Sequence, residues 1–329
     1  MAVAPTVEAV VQAGGAHIPP LMERVEQRLA ELATGHGAVL ARHGGATIAA
    51  GGKRLRPLLV LVAAGDGRPA GRDAAGVVRA AVAVELIHSA TLVHDDVLDA
   101  AELRRGRPTV VAAAGRGIAT ATGDLLFSRA CAELAANGRA DEVRVLSRAS
   151  SALALGELLQ RADAFDAGVS VDRYLQRCEL KTARLFEAAC ELGALDRGAP
   201  ESEVRALGEF GRRIGLAFQL LDDVLDVSGP AERTGKHRGT DLLDGTVTLP
   251  LILAREGDAA LAAVDLRAIT TPERAAEVCD RIEATDALRE SRARALRIAA
   301  EAKAGLPALE EPQSTALELV ADGVVERYS

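Results

Sequence analysis

The chain has 329 residues, of which 49% are hydrophobic but only 2% are aromatic, and it contains no tryptophan. This composition favours helices over a strand-rich fold, because strands are enriched in aromatic and β-branched residues. The formal net charge is −8 and long basic blocks are absent, which argues against general nucleic-acid binding. An anionic ligand would therefore have to be held locally, by individual cations or metal ions.

Three further features bear on location. The four cysteines lack CxxC spacing, which is typical of reduced thiols in a cytosolic protein. The amino terminus has no basic region ahead of an apolar stretch, so we expect no signal peptide. The clearest apolar run, residues 57–64, is far shorter than the roughly 20 residues that cross a bilayer. We expect a cytoplasmic protein without a transmembrane segment.

Apolar residues recur with helical period along most of the chain. Helices are predicted over residues 74–98, 123–136, 142–162, 172–192 and 201–227. Clusters of glycine and proline separate them, Pro272 opens a charged helix, and a last helix is predicted to run to Ser329. Because no strand alternation and no Ser- or Pro-rich linker appears, we predict one all-α domain over residues 1–329.

The sequence DDVLD occurs twice, at residues 95–99 and 222–226, each time at the end of a long apolar helix. Helical spacing places Asp95 with Asp99, and Asp222 with Asp226, on one face. Carboxylates so placed repel each other, and negative charge at a helix carboxyl end opposes the helix dipole. A bound cation would relieve both penalties, and Mg²⁺ prefers carboxylate oxygens combined with water and phosphate.

Basic residues accompany these acidic clusters. GGKRLRP spans residues 51–57, RRGRPT follows the first aspartate cluster at 104–109, and Lys181 and Lys236 add two further cations. Arginine and lysine are the side chains that bind phosphate oxygens most strongly. In an acidic chain, this combination indicates a site for diphosphates bridged by magnesium.

Five motifs in one order closely resemble the trans-isoprenyl diphosphate synthases, also called polyprenyl synthetases. They are GGKRLRP, HDDVLDAAELRRGRPT, GELLQ (156–160), LKTARLF (180–186) and GLAFQLLDDVLD (215–226), within a motif-bearing core of about residues 50–252. The resemblance implies a single-domain orthogonal bundle of helices of the isoprenoid synthase type around a central cavity. It also implies a homodimer.

The resemblance assigns roles to individual positions. About three Mg²⁺ per active site are implied, held by Asp95 and Asp99 with Asp96 in support, and by Asp222 with Asp223 and Asp226 in support. Positions that match contacts to the allylic diphosphate are Arg104, Lys181, Thr182, Gln219 and Lys236. Positions that match contacts to isopentenyl diphosphate are Lys53, Arg56, His88 and Arg105. The family commonly has a lysine at the place of Thr246. We therefore expect this enzyme to be active but to bind the allylic diphosphate more weakly.

The implied reaction is a magnesium-dependent 1′-4 condensation of isopentenyl diphosphate with allylic diphosphates. No aromatic side chain precedes the first aspartate motif at Ile87, Ala90 or Thr91, the positions expected to control chain length. We therefore expect an all-trans product of roughly C30 to C50, with C20 geranylgeranyl diphosphate as the alternative. A class I terpene cyclase is less consistent with a chain of seven aromatic residues (two Tyr and five Phe). A non-catalytic subunit is the alternative from another class.

Overall fold

A computed structural model describes residues 7–34, 42–43, 45, 47–48, 54–66, 73–104, 106–229 and 238–326. The helices up to and including the first aspartate motif are α1 (Val7–Ala13), α2 (Ile18–Thr34), α3 (Leu55–Ala64) and α4 (Ala75–Leu98). The helices of the middle section are α5 (Val110–Ala114), α6 (Arg116–Ala135), α7 (Ala140–Ala162), α8 (Val171–Cys178), α9 (Arg184–Asp196) and α10 (Glu201–Ser228). The remaining α-helices are α11 (Thr240–Leu243), α12 (Leu249–Gly257), α13 (Ala259–Ala262), α14 (Pro272–Glu283), α15 (Ala287–Ala304) and α16 (Gln313–Glu326).

The helix α4 forms the centre of the bundle. It packs against α2, α3, α6 and α9, and its alanine and valine side chains are buried on several faces. By length and composition α4 could cross a membrane, but 72% of its most apolar window is buried inside the protein. Its apolar character is therefore explained by its central position, because an element surrounded by helices needs no polar face.

The prediction of an all-α fold is confirmed, with one small addition. Residues Leu103–Arg104 (β1) and Arg107–Pro108 (β2) pair as a short antiparallel hairpin directly after the first aspartate motif. Sequence alternation could not reveal strands of two residues. The hairpin returns the chain from the end of α4 toward the start of α5.

Several predicted boundaries were wrong. The helix expected at 123 begins at Arg116, because Gly123 does not end a helix: a Cβ there would overlap the His94 ring. The helix expected over 172–192 is interrupted by a π-helical segment, Glu179–Ala183. The last helix divides into α15 and α16, since Gly305 ends the first and Pro312 precedes the second.

Glycines allow α9 and α10 to approach their neighbours. A Cβ on Gly193 of α9 would overlap the carbonyl oxygen of Val60 in α3, and one on Gly211 of α10 would lie 2.5 Å from the carbonyl oxygen of Phe186. Backbone atoms cannot move aside as a flexible side chain can, so these positions admit no larger residue without displacing a helix.

We therefore expect Gly193→Ala to lower the free energy of unfolding by about 1–3 kcal/mol, the usual cost of overpacking a core. The matched control is Gly117→Ala in α6, where a Cβ would meet no atom within 4 Å. That change should be neutral or stabilising by up to about 1 kcal/mol, because alanine favours a helix more than glycine does. Denaturation by urea measures both, and equal stabilities of the two variants would contradict the packing argument.

Candidate active site

The first aspartate motif lies at the carboxyl end of α4. The Asp99 N–H donates to the Asp95 carbonyl oxygen at 2.8 Å and closes the helix. Asp96 is 4% exposed and accepts a 2.7 Å hydrogen bond from Arg104 Nε, while Asp99 forms an ion pair with Arg161 of α7. Two of the three aspartates thus contact arginines.

Asp95 occupies a poorly solvated position between charged groups. Burial raises the pKa of Asp95 to about 6. The positive charge of Lys181 acts in the opposite direction, whereas the negative charges of Glu157 and Asp99 add to the rise. Because a buried carboxylate beside like charges is costly to ionise, Asp95 would gain from a bound cation.

A row of alternating charges joins this motif to the LKTARLF motif. Arg161 contacts Asp99 and also Glu157, with Arg161 Nε 2.7 Å from Glu157 Oε1. The second oxygen of Glu157, Oε2, lies 2.5 Å from Lys181 Nζ. Two residues of α7 therefore orient Lys181 and Asp99, the groups that the sequence assigned to the allylic diphosphate and the metal.

The π-helical segment brings Lys181 to this row. A Cβ on Gly156 would lie 2.6 Å from the Lys181 backbone nitrogen and 2.9 Å from the Leu180 carbonyl carbon. Glycine at this position lets α7 rest directly on the backbone of the segment. Single π turns inside helices re-aim side chains and are frequent at functional sites.

Thr182, next to Lys181, faces the second aspartate motif instead. Its hydroxyl donates to Gln219 Oε1 at 2.6 Å, and Gln219 Nε2 donates to Asp223 Oδ1 at 2.7 Å. The Tyr174 hydroxyl donates to the other oxygen, Asp223 Oδ2, at 2.6 Å. This chain of hydrogen bonds connects the π segment, α10 and α8.

Asp223 is a buried anchor of the second motif. Burial raises its pKa, the negative charge of Asp241 adds to the rise, and the donors Tyr174 and Gln219 oppose it. Both carboxylate oxygens are occupied by protein donors. The structure thus suits Asp223 to holding Tyr174 and Gln219 in place.

The other two aspartates of the second motif are more accessible. Asp222 is exposed and Asp226 is half-buried. Asp226 Oδ2 accepts a 3.2 Å hydrogen bond from the Asp241 N–H, and its carbonyl oxygen accepts one of 2.9 Å from the Gly239 N–H. The turn that starts α11 is thereby fastened to the end of α10, and it brings the Asp241 carboxylate into the electrostatic neighbourhood of the motif.

Arg56 lies in the first turn of α3. Its guanidinium stacks over the Phe186 ring, 4.6 Å from the ring centroid, and Phe186 packs against Phe218 at 5.7 Å between centroids. Stacking on an aromatic face holds the plane of the guanidinium in place. His88, also assigned to isopentenyl diphosphate, is half-buried on α4.

Arg54, the middle cation of GGKRLRP, has a structural position. It precedes α3 with a left-handed φ of 47°. Its guanidinium binds Glu26 of α2 and the buried Glu85 of α4, both at 2.6 Å. These ion pairs fix the start of α3, which carries Arg56.

The remaining sequence-predicted residues divide into two groups. Lys53, Arg105 and Lys236 lie outside the described residues. The positions expected to control chain length lie on α4: Ile87 and Ala90 have no exposed surface, and Thr91 is half-buried.

Sequence reasoning missed Glu157, Arg161, Tyr174 and Asp241. Glu157 belongs to the GELLQ motif, so its motif was recognised but its contact with Lys181 was not. The other three lie outside the five motifs. For Arg161, the four-residue spacing from Glu157 was a signal, since such pairs meet on one helix face.

The carboxylates suit a hard divalent cation. Within the described part of the chain, no three acidic, histidine or cysteine side chains stand close enough to enclose a metal ion by themselves. Mg²⁺ commonly takes one or two carboxylates and completes its octahedron with water and substrate phosphates. This open kind of site fits Asp95 and Asp99 at the carboxyl end of α4, and it fits Asp222 near the carboxyl end of α10.

We expect metal-free Asp95→Asn to be more stable than the natural protein by about 1–3 kcal/mol above pH 7. The Asp95 pKa is raised in the folded state, so ionising it costs stability as pH rises through about 6. The difference should therefore shrink as pH falls from 6 toward 4, which urea unfolding in a chelator can follow.

The control for this experiment is Asp222→Asn, because Asp222 is exposed. Its effect should stay within about 0.5 kcal/mol, as is usual for surface substitutions. If Asp95→Asn and the natural protein were equally stable at pH 8, Asp95 would not be a poorly solvated group.

Comparison with known proteins gives a consistent result. A family model described as Polyprenyl synthetase matches residues 38–284. The chain is 44% identical over 245 residues to heptaprenyl diphosphate synthase component 2 of Geobacillus stearothermophilus, which covers 74% of this chain and 75% of that protein. It is 41% identical over 213 residues to geranylgeranyl diphosphate synthase of Methanosarcina mazei, covering 63% and 64%.

A solved structure of similar shape is polyprenyl synthase from Caulobacter crescentus CB15, complexed with calcium and isoprenyl diphosphate. It aligns with a TM-score of 0.88 and 35% identity, and the alignment covers 100% of both chains. The chain thus belongs to the polyprenyl synthetase family of prenyltransferases and has the family's all-α isoprenoid synthase fold.

Proposed function

We propose that this protein catalyses the magnesium-dependent head-to-tail 1′-4 condensation of isopentenyl diphosphate with allylic diphosphates. The observation that carries the proposal is the placement of Lys181 and Thr182. These adjacent residues reach toward different aspartate motifs, one through Glu157 and the other through Gln219. A diphosphate lying against the π segment would thus meet a cation, a hydroxyl and both sets of carboxylates.

The proposed mechanism needs no protein nucleophile. Magnesium, when bound, supplies positive charge to the departing diphosphate. Lys181 and Arg104 add charge-assisted hydrogen bonds to the same oxygens, where charge grows as the allylic bond breaks. Arg56 holds isopentenyl diphosphate so that its double bond attacks the allylic cation, and the surrounding helices exclude water. The released diphosphate then accepts the proton that the condensed cation loses, which completes the product.

We assign about three metal ions to these carboxylates. Asp95 and Asp99 would hold two, with Asp96 keeping Arg104 in position by its hydrogen bond. Asp222 would hold the third, with Asp226 and the buried Asp223 in support. The related Caulobacter crescentus protein is complexed with calcium and isoprenyl diphosphate, which supports a site that takes a divalent cation together with a diphosphate.

The absence of the family's lysine at Thr246 is compatible with activity. The Thr246 N–H donates to the Asp241 carbonyl oxygen at 2.8 Å, and the next residue, Val247, has its carbonyl oxygen bound by the buried Arg177. The backbone at this position is therefore held in place. The lost charge weakens the allylic clamp, while Lys181 and Arg104 are retained.

We propose a homodimer in the cytoplasm. The residues Ile118, Ala121, Leu125, Ser128, Ala132 and Ala135 form a heptad-like stripe on α6, and all except the half-buried Leu125 are exposed. On α7, Leu155 and Leu158 are 48% and 66% exposed. Apolar and small side chains on adjacent helices suit contact with a second copy. A molar mass of one chain in solution would contradict this assembly.

The name of one relative, component 2 of a heptaprenyl synthase, supports a second arrangement. In that case this chain would be the catalytic subunit of a two-component enzyme. An assay of the purified chain by itself distinguishes the two arrangements, because a subunit of this kind would produce little product alone.

The test of the proposed function combines purified protein, Mg²⁺, isopentenyl diphosphate and an allylic primer of C10, C15 or C20. We expect release of diphosphate and a lengthened prenyl product identified by mass. Asp222→Ala is the control and should lose at least about 10²-fold in rate, since an electrostatic stabiliser is removed. Hydrocarbon formed without isopentenyl diphosphate would indicate a cyclase instead, and no turnover would indicate either a non-catalytic subunit or a subunit that needs a second component.

For chain length we propose an all-trans product of roughly C30 to C50, with C20 as the alternative. The turn before the first aspartate motif contains Ala90 and Thr91, and the Thr91 hydroxyl donates to the His88 carbonyl oxygen at 2.8 Å. Neither Ala90 nor Thr91 carries a ring. Ala90 has no exposed surface, so a growing prenyl chain that passes it has to separate α4 from the neighbouring helices. Small side chains lose few van der Waals contacts on this separation, which keeps its energetic cost low.

We expect Ala90→Phe to shift the product toward C15–C20, because the ring fills the space that the growing tail needs. The matched control is Ala90→Ser, which barely changes the volume and should leave product length unaltered. Mass analysis of products from a C10 primer measures the shift. An Ala90→Phe enzyme that still adds the first unit but makes full-length product would contradict the assignment.

A further inference from the structure

Arg161 takes no part in the proposed reaction, yet it lies among the groups that would hold the first metal ions. It contacts Asp99, and its Nε lies 2.7 Å from Glu157 Oε1. Glu157 in turn binds Lys181 at 2.5 Å. Two cations and two carboxylates therefore alternate along one row that begins at the metal-binding end of α4.

The Arg161 guanidinium contacts an oxygen of Asp99, one of the residues that would hold a metal ion. Two positive charges close together near a protein surface repel each other. A divalent cation arriving at Asp99 must therefore displace Arg161 or bind weakly beside it. The side chain of Arg161 is 37% exposed, so it has room to turn.

Glu157 offers a pivot for this movement. Glu157 and Arg161 are four residues apart on α7, and the contact through Nε leaves the terminal nitrogens of the guanidinium free to change partner. Since Glu157 also holds Lys181, a guanidinium that leaves Asp99 but stays on Glu157 remains beside the cation assigned to the diphosphate.

We infer that Arg161 is an exchangeable counterion: it holds Asp99 in the substrate-free enzyme and turns to the diphosphate when a divalent cation binds Asp99. This inference rests on the proposed function. It makes Arg161 oppose binding of metal alone and favour binding of metal together with diphosphate. The enzyme would consequently load its metals cooperatively with the substrate.

The test uses Mn²⁺ in place of Mg²⁺, with free Mn²⁺ measured by electron paramagnetic resonance, and inorganic pyrophosphate as the diphosphate. For Arg161→Gln we expect Mn²⁺ alone to bind about threefold tighter, within the range for a partly exposed ion pair. In saturating Mn²⁺, pyrophosphate should bind about tenfold weaker, because a charged hydrogen bond is lost. Arg161→Lys keeps the charge and should restore most of both values.

The matched control is Arg144→Gln, which removes an exposed arginine from the same helix about five turns away. It should change neither affinity. A purely structural role for Arg161 would weaken both kinds of binding, and a bystander role would change neither. Either result overturns the inference. If the natural enzyme bound no Mn²⁺ even with pyrophosphate, the proposed metal chemistry would fall with it.

Discussion

The close approach of α7 to the π-helical segment fixes the distance between the two halves of the site. Gly156 has no side chain, so the helix rests against the peptide that joins Leu180 to Lys181. A larger residue would push α7 outward and carry Glu157 away from Lys181. Thr182 is the next residue along the segment. The same contact therefore also sets the position of the Thr182 hydroxyl, which binds Gln219 beside the second aspartate motif.

The two halves differ in how firmly they are held. Around Asp223 the groups are buried, neutral donors satisfy both oxygens, and a chain of hydrogen bonds of this kind is costly to rearrange. Around Asp99 the contacts are partly exposed ion pairs, which are individually weak and easily exchanged. The second motif is thus preorganised, whereas the first can change partners when its ligands arrive.

Sequence alone identified most of the long helices from residue 74 onward and the two aspartate motifs, because helical periodicity and the DDVLD spacing are local signals. It did not predict α1, α2 or α3. It missed the π segment, since residues 179–183 (ELKTA) have ordinary helical character and the extra residue in the turn depends on packing against α7. It also missed Tyr174 and Asp241, which reach Asp223 only through the folded structure. Gly123 was interpreted as a helix boundary, but its missing side chain instead makes room for His94.

The helix α4 separates two properties along a single element. Its aspartates lie at the carboxyl end, while the preceding turns consist mostly of buried alanine, valine and leucine, with Arg79 and Glu85 as the charged exceptions. Side-chain volume in those turns can therefore drift without disturbing the carboxylates at the helix end. In evolutionary terms, the volume of the buried turns and the charge of the helix end can be altered by separate substitutions.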